Sequence, residues 1–340
     1  MNNGLPEGII PIALDAMGGD HGPGVTVPAA IQAVTKGGVA IALVGDPAAV
    51  QHELDRHDTP AKRLIQVIPS EGAINEGSNP ARALRANPRA SVAVAAGAVK
   101  AGKAKAFVSM GSTGASIAAA TVLFGTLEGI DRGALGGPIV GYAPDSVIID
   151  LGTNLDSKPA QLVDFAALGG LMSRLIYGHP NPRVALLSVG SEEGKGNAQV
   201  KATAELLKTS SLNFVGNIEP HDLPRNVAEV VVCDGFVGNV VLKLTEGLGR
   251  AICDHIRSAL GDSPEVNNLV DEIFARTNRL EALGGGPLFG VKGAAIVGHG
   301  ASSVSAVAGA IGTARLVVEK GYVEAQAAEL ARIRSEIAIA

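Results

Sequence analysis

Short, uninterrupted apolar runs alternate along the chain with Ala-rich stretches of helical spacing, and glycine-rich turns join them. Ile9–Leu14, Ala40–Val44, Ile65–Ile68 and Ala106–Ser109 read as strands. The stretches between and after them, Val25–Thr35, Ala49–His57, Ala81–Ala86, Ser91–Ala101 and Ala115–Phe124, read as helices, with Pro88 ending the third. Val147–Asp150, Val184–Ser188, Phe214–Asn217, Glu229–Cys233 and Ala294–Val297 continue the strand series. Ala160–Ile176, Ala198–Lys208, Val237–Ala259, Ser302–Lys320 and Ala325–Ile337 continue the helices. Pro138–Tyr142 reads as one more strand, joined to Val147–Asp150 through a turn short enough for an antiparallel pair. Strands that are apolar throughout, rather than alternating, belong in a mainly parallel sheet covered on both faces, so the fold class is α/β. No Ser- or Pro-rich linker divides the chain. The expectation is a single intertwined α/β domain over 8–322, with a C-terminal helix over 323–340.

Composition narrows the function. Charged residues are 18% of the 340, and 46% are hydrophobic, which suits a large aliphatic core and not disorder. A net charge of −5, without Lys/Arg tracts, argues against nucleic acid as a partner. Cys233 and Cys253 make neither a disulfide framework nor a metal spacing, which fits a reducing cytoplasm. The opening MNNGLPEG lacks the basic and apolar regions of a signal peptide. Residues 107–127 and 293–314 are uncharged and long enough to span a bilayer. Their early Gly/Ser/Thr loops make each read instead as a buried strand, a loop and a buried helix.

With 44 glycines in the chain, the loops become the place to look for chemistry. LDAMGGDHGP (14–23), VSMGSTGAS (108–116), VCDGFVGNV (232–240) and IVGHGASSV (296–304) each follow a strand and open a helix. Bare amides and the helix dipole at such a position attract anions. Four of them favour a phosphate-bearing ligand over plain tight turns. None is a dinucleotide fingerprint or a Walker loop. In LLSVGSEEGKGNAQ (186–199), Lys195 stands between glycines and can serve a phosphate or a developing oxyanion; a solvated charged turn is the plain alternative. DLGTNLDSKP (150–159) carries Asp150, Asn154, Asp156 and Lys158 after a strand; two carboxylates six apart are thin material for a metal site, and an Asp156–Lys158 pair or helix capping is the plain alternative. No G-x-S-x-G elbow is present, and neither a metal nor a cofactor is expected. Helical spacing over 264–283 gives one apolar face, Val266, Leu269, Val270, Ile273, Phe274, Leu280 and Leu283, opposite a face of mixed charge.

In these same stretches the chain resembles the bacterial phosphate acyltransferase family of phospholipid synthesis, which makes acyl phosphate from acyl-acyl carrier protein and inorganic phosphate. The matching segments are IALDAMGGDHGP (12–23), VSMGSTGA (108–115), DLGTNLDSKP (150–159), LLSVGSEEGKGN (186–197), FVGNIE (214–219), VVVCDGFVGNVVLK (230–243), GGGPLFGVKG (284–293) and HGAS (299–302). They follow the family's order over nearly the whole chain. The resemblance implies a three-layer α/β/α fold similar to isocitrate and isopropylmalate dehydrogenases and to phosphotransacetylase. It also implies a homodimer, peripheral attachment to the inner face of the membrane through the 262–283 segment, and hand-over of product to a downstream glycerol-phosphate acyltransferase. Lys195 and Lys158 are the expected catalytic residues. Asp15, Gly18, Gly19, Asp20, His21, Gly111, Ser112, Thr113, Gly114, Asn154, Asp156, Gly196, Asn217, Asp234, Gly235, Asn239, His299, Gly300 and Ser302 are the expected binding residues. The family commonly carries Asn at the position of Ser112, and an Arg where Pro220-His221 stands here, for which His221 or Arg225 could substitute. Lys100, Lys103 and Lys105 are a candidate docking patch for the acidic carrier protein. A hydroxyacid dehydrogenase and a catalytically impaired binding or scaffold protein on the same fold stay open as alternatives.

Overall fold

The computed structural model describes residues 6, 8–75, 77 and 79–339, the side chains of 338 and 339 excepted. Most of the opening segment read above for a leader lies outside these residues. The strands in chain order are β1 (Ile10–Asp15), β2 (Val39–Gly45), β3 (Ile65–Pro69), β4 (Ala106–Ser109), β5 (Ala134–Gly137), β6 (Val147–Ile149), β7 (Arg183–Leu187), β8 (Asn213–Ile218), β9 (Val230–Val232), β10 (Gly286–Phe289) and β11 (Ala294–Val297). The α-helices are α1 (Pro23–Lys36), α2 (Pro47–Asp55), α3 (Pro80–Ala86), α4 (Ser91–Lys100), α5 (Thr113–Phe124), α6 (Pro159–Met172), α7 (Ala198–Lys208), α8 (Gly235–Leu260), α9 (Pro264–Thr277), α10 (Arg279–Ala282), α11 (Val304–Glu319) and α12 (Tyr322–Ile339).

Two compact units result, Met1–Gly133 with Leu283–Val323, and Ala134–Ala282 with Glu324–Ala340. In the first, β3, β2, β1, β4 and β11 pair parallel in that order, and β10 adds antiparallel to β11. In the second, β6, β9, β7 and β8 are parallel in that order, and β5 is antiparallel on β6. The α/β class with a mainly parallel sheet is thus the observed one. The strands β2, β4 and β9 are buried from end to end, and β1 from Pro11 onward, as their unbroken apolar runs require. The low aromatic content leaves Phe107, Phe165 and Phe289 among the few large rings in an Ala/Val/Ile/Leu core.

Two strand readings need correction. The antiparallel partner of β6 is β5 at Ala134–Gly137, four residues before the expected start at Pro138. The strand β10 is absent from the reading above; here Gly286 pairs with Val297 and Pro287 with Ile296 in a short antiparallel ladder. The two long uncharged stretches fold as read, into β4, loop and α5, and into β11, loop and α11. Among the described residues no helix is long and apolar enough to cross a membrane.

Four of the parallel strands lead into their helices, α5, α7, α8 and α11, through a side-chain-capped turn. Ser112 Oγ accepts from Ala115 N, Asn197 Oδ1 from Val200 N, Asp234 Oδ1 from Val237 N and Ser303 Oγ from Ala306 N. These caps set where the glycine loops begin and end, and they place the loops at the carboxyl ends of the strands.

Candidate active site loops

The expected site residues fall into two sets, one in each unit. Asp15, Gly18, Gly19, Asp20, His21, Gly111, Ser112, Thr113, Gly114, His299, Gly300 and Ser302 belong to the first unit. Asn154, Asp156, Lys158, Lys195, Gly196, Asn217, Asp234, Gly235 and Asn239 belong to the second.

In the first unit the loops after β1, β4 and β11 are in backbone contact. A Cβ on Gly18 would fall 2.7 Å from Gly111 N, and one on Gly19 would fall 3.0 Å from the Gly300 carbonyl oxygen. Only glycine allows this approach, and Gly19 also has φ +87°. Asp20 N donates to the Gly300 carbonyl at 2.9 Å, and Gly298 N donates to the Ser109 carbonyl at 2.9 Å. Asp15 is 2% exposed, and both its oxygens are occupied by hydrogen bonds from Gly18 N and Ser109 Oγ. Burial pushes its carboxyl above the usual range, against hydrogen bonds that pull it down. Asp20 and His21 are exposed at the mouth of the loops.

Gly18, Gly19, His21, Thr26, Gly300 and Ser302 help to line a small cavity here, with room for about one water. The Ser302 hydroxyl is 3% exposed as a residue and has no hydrogen-bond partner, and His299 Nδ1 is likewise buried without one. Buried polar atoms are ordinarily satisfied, so an orphan hydroxyl beside the α11 N-terminus marks a place where a ligand can supply the acceptor.

The second unit has a different anchor, Asp150, which was not among the expected site residues. Its carboxylate accepts from Gly152 N, Thr153 N, Asn154 N and Asn154 Nδ2 at 2.7 to 3.0 Å. Burial pushes Asp150 upward, with those bonds opposing. The folded loop then offers the Asn154 carbonyl to Gly235 N at 2.7 Å, which fixes the start of α8. A signal was present in the sequence, since an Asp that ends an apolar strand and precedes Gly-Thr-Asn has backbone amides within reach. Lys158 sits at the α6 N-cap, with its own N–H donated to Gln161 Oε1, and its side chain is exposed. Asp156 and Asn239 are also exposed. Lys195 is exposed, and its neighbour Glu193 is paired with Lys208, which leaves the ammonium to solvent or substrate. Asn217 Nδ2 holds the Lys195 carbonyl at 3.3 Å, while its Oδ1 is buried without a partner. His221 and Arg225 both face Asp222, at 3.5 and 3.4 Å, so the side chains offered as substitutes in that loop already stand against a carboxylate.

Cys233 is buried with its thiol against the Asp150 carbonyl, and burial together with the Asp150 and Asp234 carboxylates pushes it far above the usual thiol range. That rules it out as a nucleophile at neutral pH. Among the described residues no cluster of three or more His, Cys, Asp or Glu could hold a metal.

A family model described as "Fatty acid synthesis protein" matches residues 10–325. The phosphate acyltransferase of Desulfitobacterium hafniense (strain Y51) is 38% identical over 329 residues, covering 94% of this chain and 97% of that protein. That of Elusimicrobium minutum (strain Pei191) is 40% identical over 318 residues, covering 92% and 93%. Among solved structures, a phosphotransacetylase from Streptococcus pyogenes superposes with a TM-score of 0.62 at 18% identity, over 91% of this chain and 94% of that one. This last likeness concerns the fold.

Proposed function

The chain belongs to the phosphate acyltransferase family, and from that premise we propose that it transfers a fatty acyl group from acyl-acyl carrier protein to inorganic phosphate, giving acyl phosphate for glycerophospholipid synthesis. The enzyme is an acyltransferase. In the proposed reaction a phosphate oxygen attacks the thioester carbonyl carbon, the carbon–sulfur bond breaks, and the thiolate leaves and takes up a proton. A thiol of pKa near 8.5 needs little help in leaving. The work of the site is then to hold phosphate in line and to stabilise the tetrahedral oxyanion, which positioned donors do best.

The observation that carries this reading is the orphan Ser302 hydroxyl in the glycine-lined platform of the first unit. Ser302, the amides around Gly111–Gly114 and Gly298–Gly300, and the loop Gly18–His21 are the proposed phosphate contacts. In the second unit Lys195 and Lys158 are the proposed catalytic residues, and Asn154, Asp156, Gly196, Asn217, Asp234, Gly235 and Asn239 the proposed substrate-binding ones. No acyl-enzyme is formed, in keeping with the suppressed Cys233 thiol.

The proposed assembly is a homodimer that touches the cytoplasmic face of the membrane and passes acyl phosphate to a glycerol-phosphate acyltransferase. The support is a row of exposed apolar side chains on α8, Phe236, Val240, Leu244, Leu248 and Ile252, spaced four apart. A second copy suits that row. The apolar stripe of α9 is in part spent on its own unit, since Val270 is buried and its carbonyl meets the Cys253 thiol. Leu260 and Leu269, exposed on either side of the α8–α9 turn, are left for a lipid surface.

The test is release of free thiol from long-chain acyl-acyl carrier protein with and without inorganic phosphate, with hydroxylamine trapping acyl phosphate. Phosphate-dependent release is the expected result. A folded enzyme that releases none overturns the reading.

A further inference from the structure

Ser109 ends β4 and is fully buried. Its hydroxyl donates to Asp15 Oδ2 at 2.8 Å and accepts from Gly111 N and Ser116 Oγ, each at 3.1 Å. Asp15 Oδ1 accepts from Gly18 N at 3.1 Å. One chain of hydrogen bonds thus runs from the first turn of α5, through the β4 loop, to the β1 loop. It joins the two loops where they are closest, for a Cβ on Gly111 would lie 3.4 Å from Gly18 Cα.

A buried carboxylate costs stability that an apolar side chain of the same size would not. Stability alone therefore gives no account of Asp15. Geometry does, because an Asp accepts on both oxygens at once and so fixes two loops with one side chain. Neither Asp15 nor Ser109 can reach a ligand, since both are shut off from solvent and their polar atoms are spent on the protein.

We infer that Asp15 and Ser109 are positioning residues of the phosphate subsite, setting the distance between the Gly18 and Gly111 loops without touching phosphate. The inference rests on the reading that the first unit's loops take phosphate. Loss of the pair leaves the donors in place but no longer aimed at one point, and small misplacements of that kind lower affinity for the ligand that needs them. Affinity for the acyl donor is expected to be kept.

The test uses the full chain with Ser109→Ala, Asp15→Asn and the double variant. Thiol release is followed at varied phosphate and at varied acyl donor, and binding of inorganic phosphate is measured by calorimetry. Each single variant is expected to raise the KM and Kd for phosphate about 10-fold, with kcat within roughly threefold and the acyl-donor KM within roughly twofold. The double variant is expected to be no worse than the worse single one, because the two act as a unit. Phosphate KM and Kd within about twofold of wild type, additive losses, or equal loss in both KM values overturn the inference. If Asp15→Asn does not fold, Ser116→Ala, which removes a donor to Ser109, takes its place beside Ser109→Ala. A wild-type enzyme that binds phosphate but releases no thiol, with Ser109→Ala binding about 10-fold more weakly, counts against the acyl-transfer reading alone. A wild-type enzyme that binds no phosphate overturns the positioning role as well.

Discussion

Asn154 meets Asp150 twice, through its backbone N–H at 2.7 Å and its side-chain Nδ2 at 2.8 Å, both on Oδ2. The loop so closed carries the Asn154 carbonyl to Gly235 N and starts α8. At the next turn of that helix, Gly238 comes so near that a Cβ would fall 1.8 Å from the Asp150 carbonyl oxygen. Strand end, loop and helix start are therefore one rigid object built around a buried carboxylate.

Two substitutions separate its parts. Asn154→Ala takes one donor from the buried carboxylate and leaves three, and is expected to cost about 1–3 kcal/mol. Gly238→Ala forces backbone apart from backbone, where no side chain can move aside, and is expected to cost about 3 kcal/mol or more. Urea unfolding measures both. A Gly238→Ala protein within roughly 0.5 kcal/mol of wild type would falsify the close approach.

Why these residues were only partly legible in sequence follows from what they do. The parallel strands announce themselves as unbroken apolar runs, and Ser112, Asn197, Asp234 and Ser303 announce helix starts, because both signals are local. Gly286-Pro287 has the local chemistry of a turn and is made a strand only by the pairing of Pro287 with Ile296. Ser109 reads as the last residue of an apolar strand. Its importance lies in Asp15, 94 residues away, and no local pattern carries that distance. Asp15 invites a reading as a ligand of substrate, since it opens a glycine loop; its burial is a tertiary fact. The exit of the chain from the first unit at Gly133 and its return at Leu283 is another.

Lys195 offers the cleanest separation of chemistry from stability. Its side chain is exposed, and its backbone is held at both ends, the carbonyl by Asn217 Nδ2 at 3.3 Å and the N–H by the Glu192 carbonyl at 3.1 Å. Lys195→Ala is expected to lower kcat/KM by about 100-fold, the scale of one lost oxyanion donor. Unfolding free energy is expected to stay within roughly 0.5 kcal/mol of wild type. Near-normal turnover by a folded Lys195→Ala enzyme removes Lys195 from the mechanism and leaves the cation to Lys158.

The α8 row predicts a change of association without a change of fold. Phe236 is 62% exposed and Leu244 60%, far more than a side chain that supports its own unit. Leu244→Glu with Leu248→Glu places two like charges in the proposed interface, where each meets its counterpart in the second copy. Light scattering is expected to show a dimer for wild type and a monomer for the double variant, with the melting temperature of a single unit preserved. A wild-type monomer at micromolar concentration, or a variant that still dimerises, points the row elsewhere. Leu260→Glu and Leu269→Glu are expected instead to leave the dimer intact and to reduce sedimentation with anionic phospholipid vesicles.

The C-terminal helix is held to its unit by ions, and that gives it a pH dependence of known sign. Glu329, nearly buried, is paired with Arg174 and Arg332, each at 2.7 Å, and Arg334 grips Asp164 through Nε and Nη2 at 2.8 and 2.7 Å. Burial raises the Glu329 carboxyl, but hydrogen bonds from Arg332 and Arg174 outweigh it and hold the group below its usual 4.5. The folded state thus binds its proton less readily than the unfolded state. The stability this contributes is present above about pH 4.5 and is lost as pH falls through the folded value. Asp15 and Asp150 act with the opposite sign, since their folded values are raised and their ionisation costs stability as pH rises. Total stability mixes the two, so the difference between wild type and Glu329→Gln is the quantity to follow. That difference is expected to be largest at neutral pH and to shrink toward zero on acidification below pH ~4.5. Hydrogen exchange at neutral pH is expected to show 322–337 opening faster in the variant, with α1 and α5 unchanged. A difference that grows on acidification would mean that Glu329 is buried as a neutral acid and that the two arginines do not hold it.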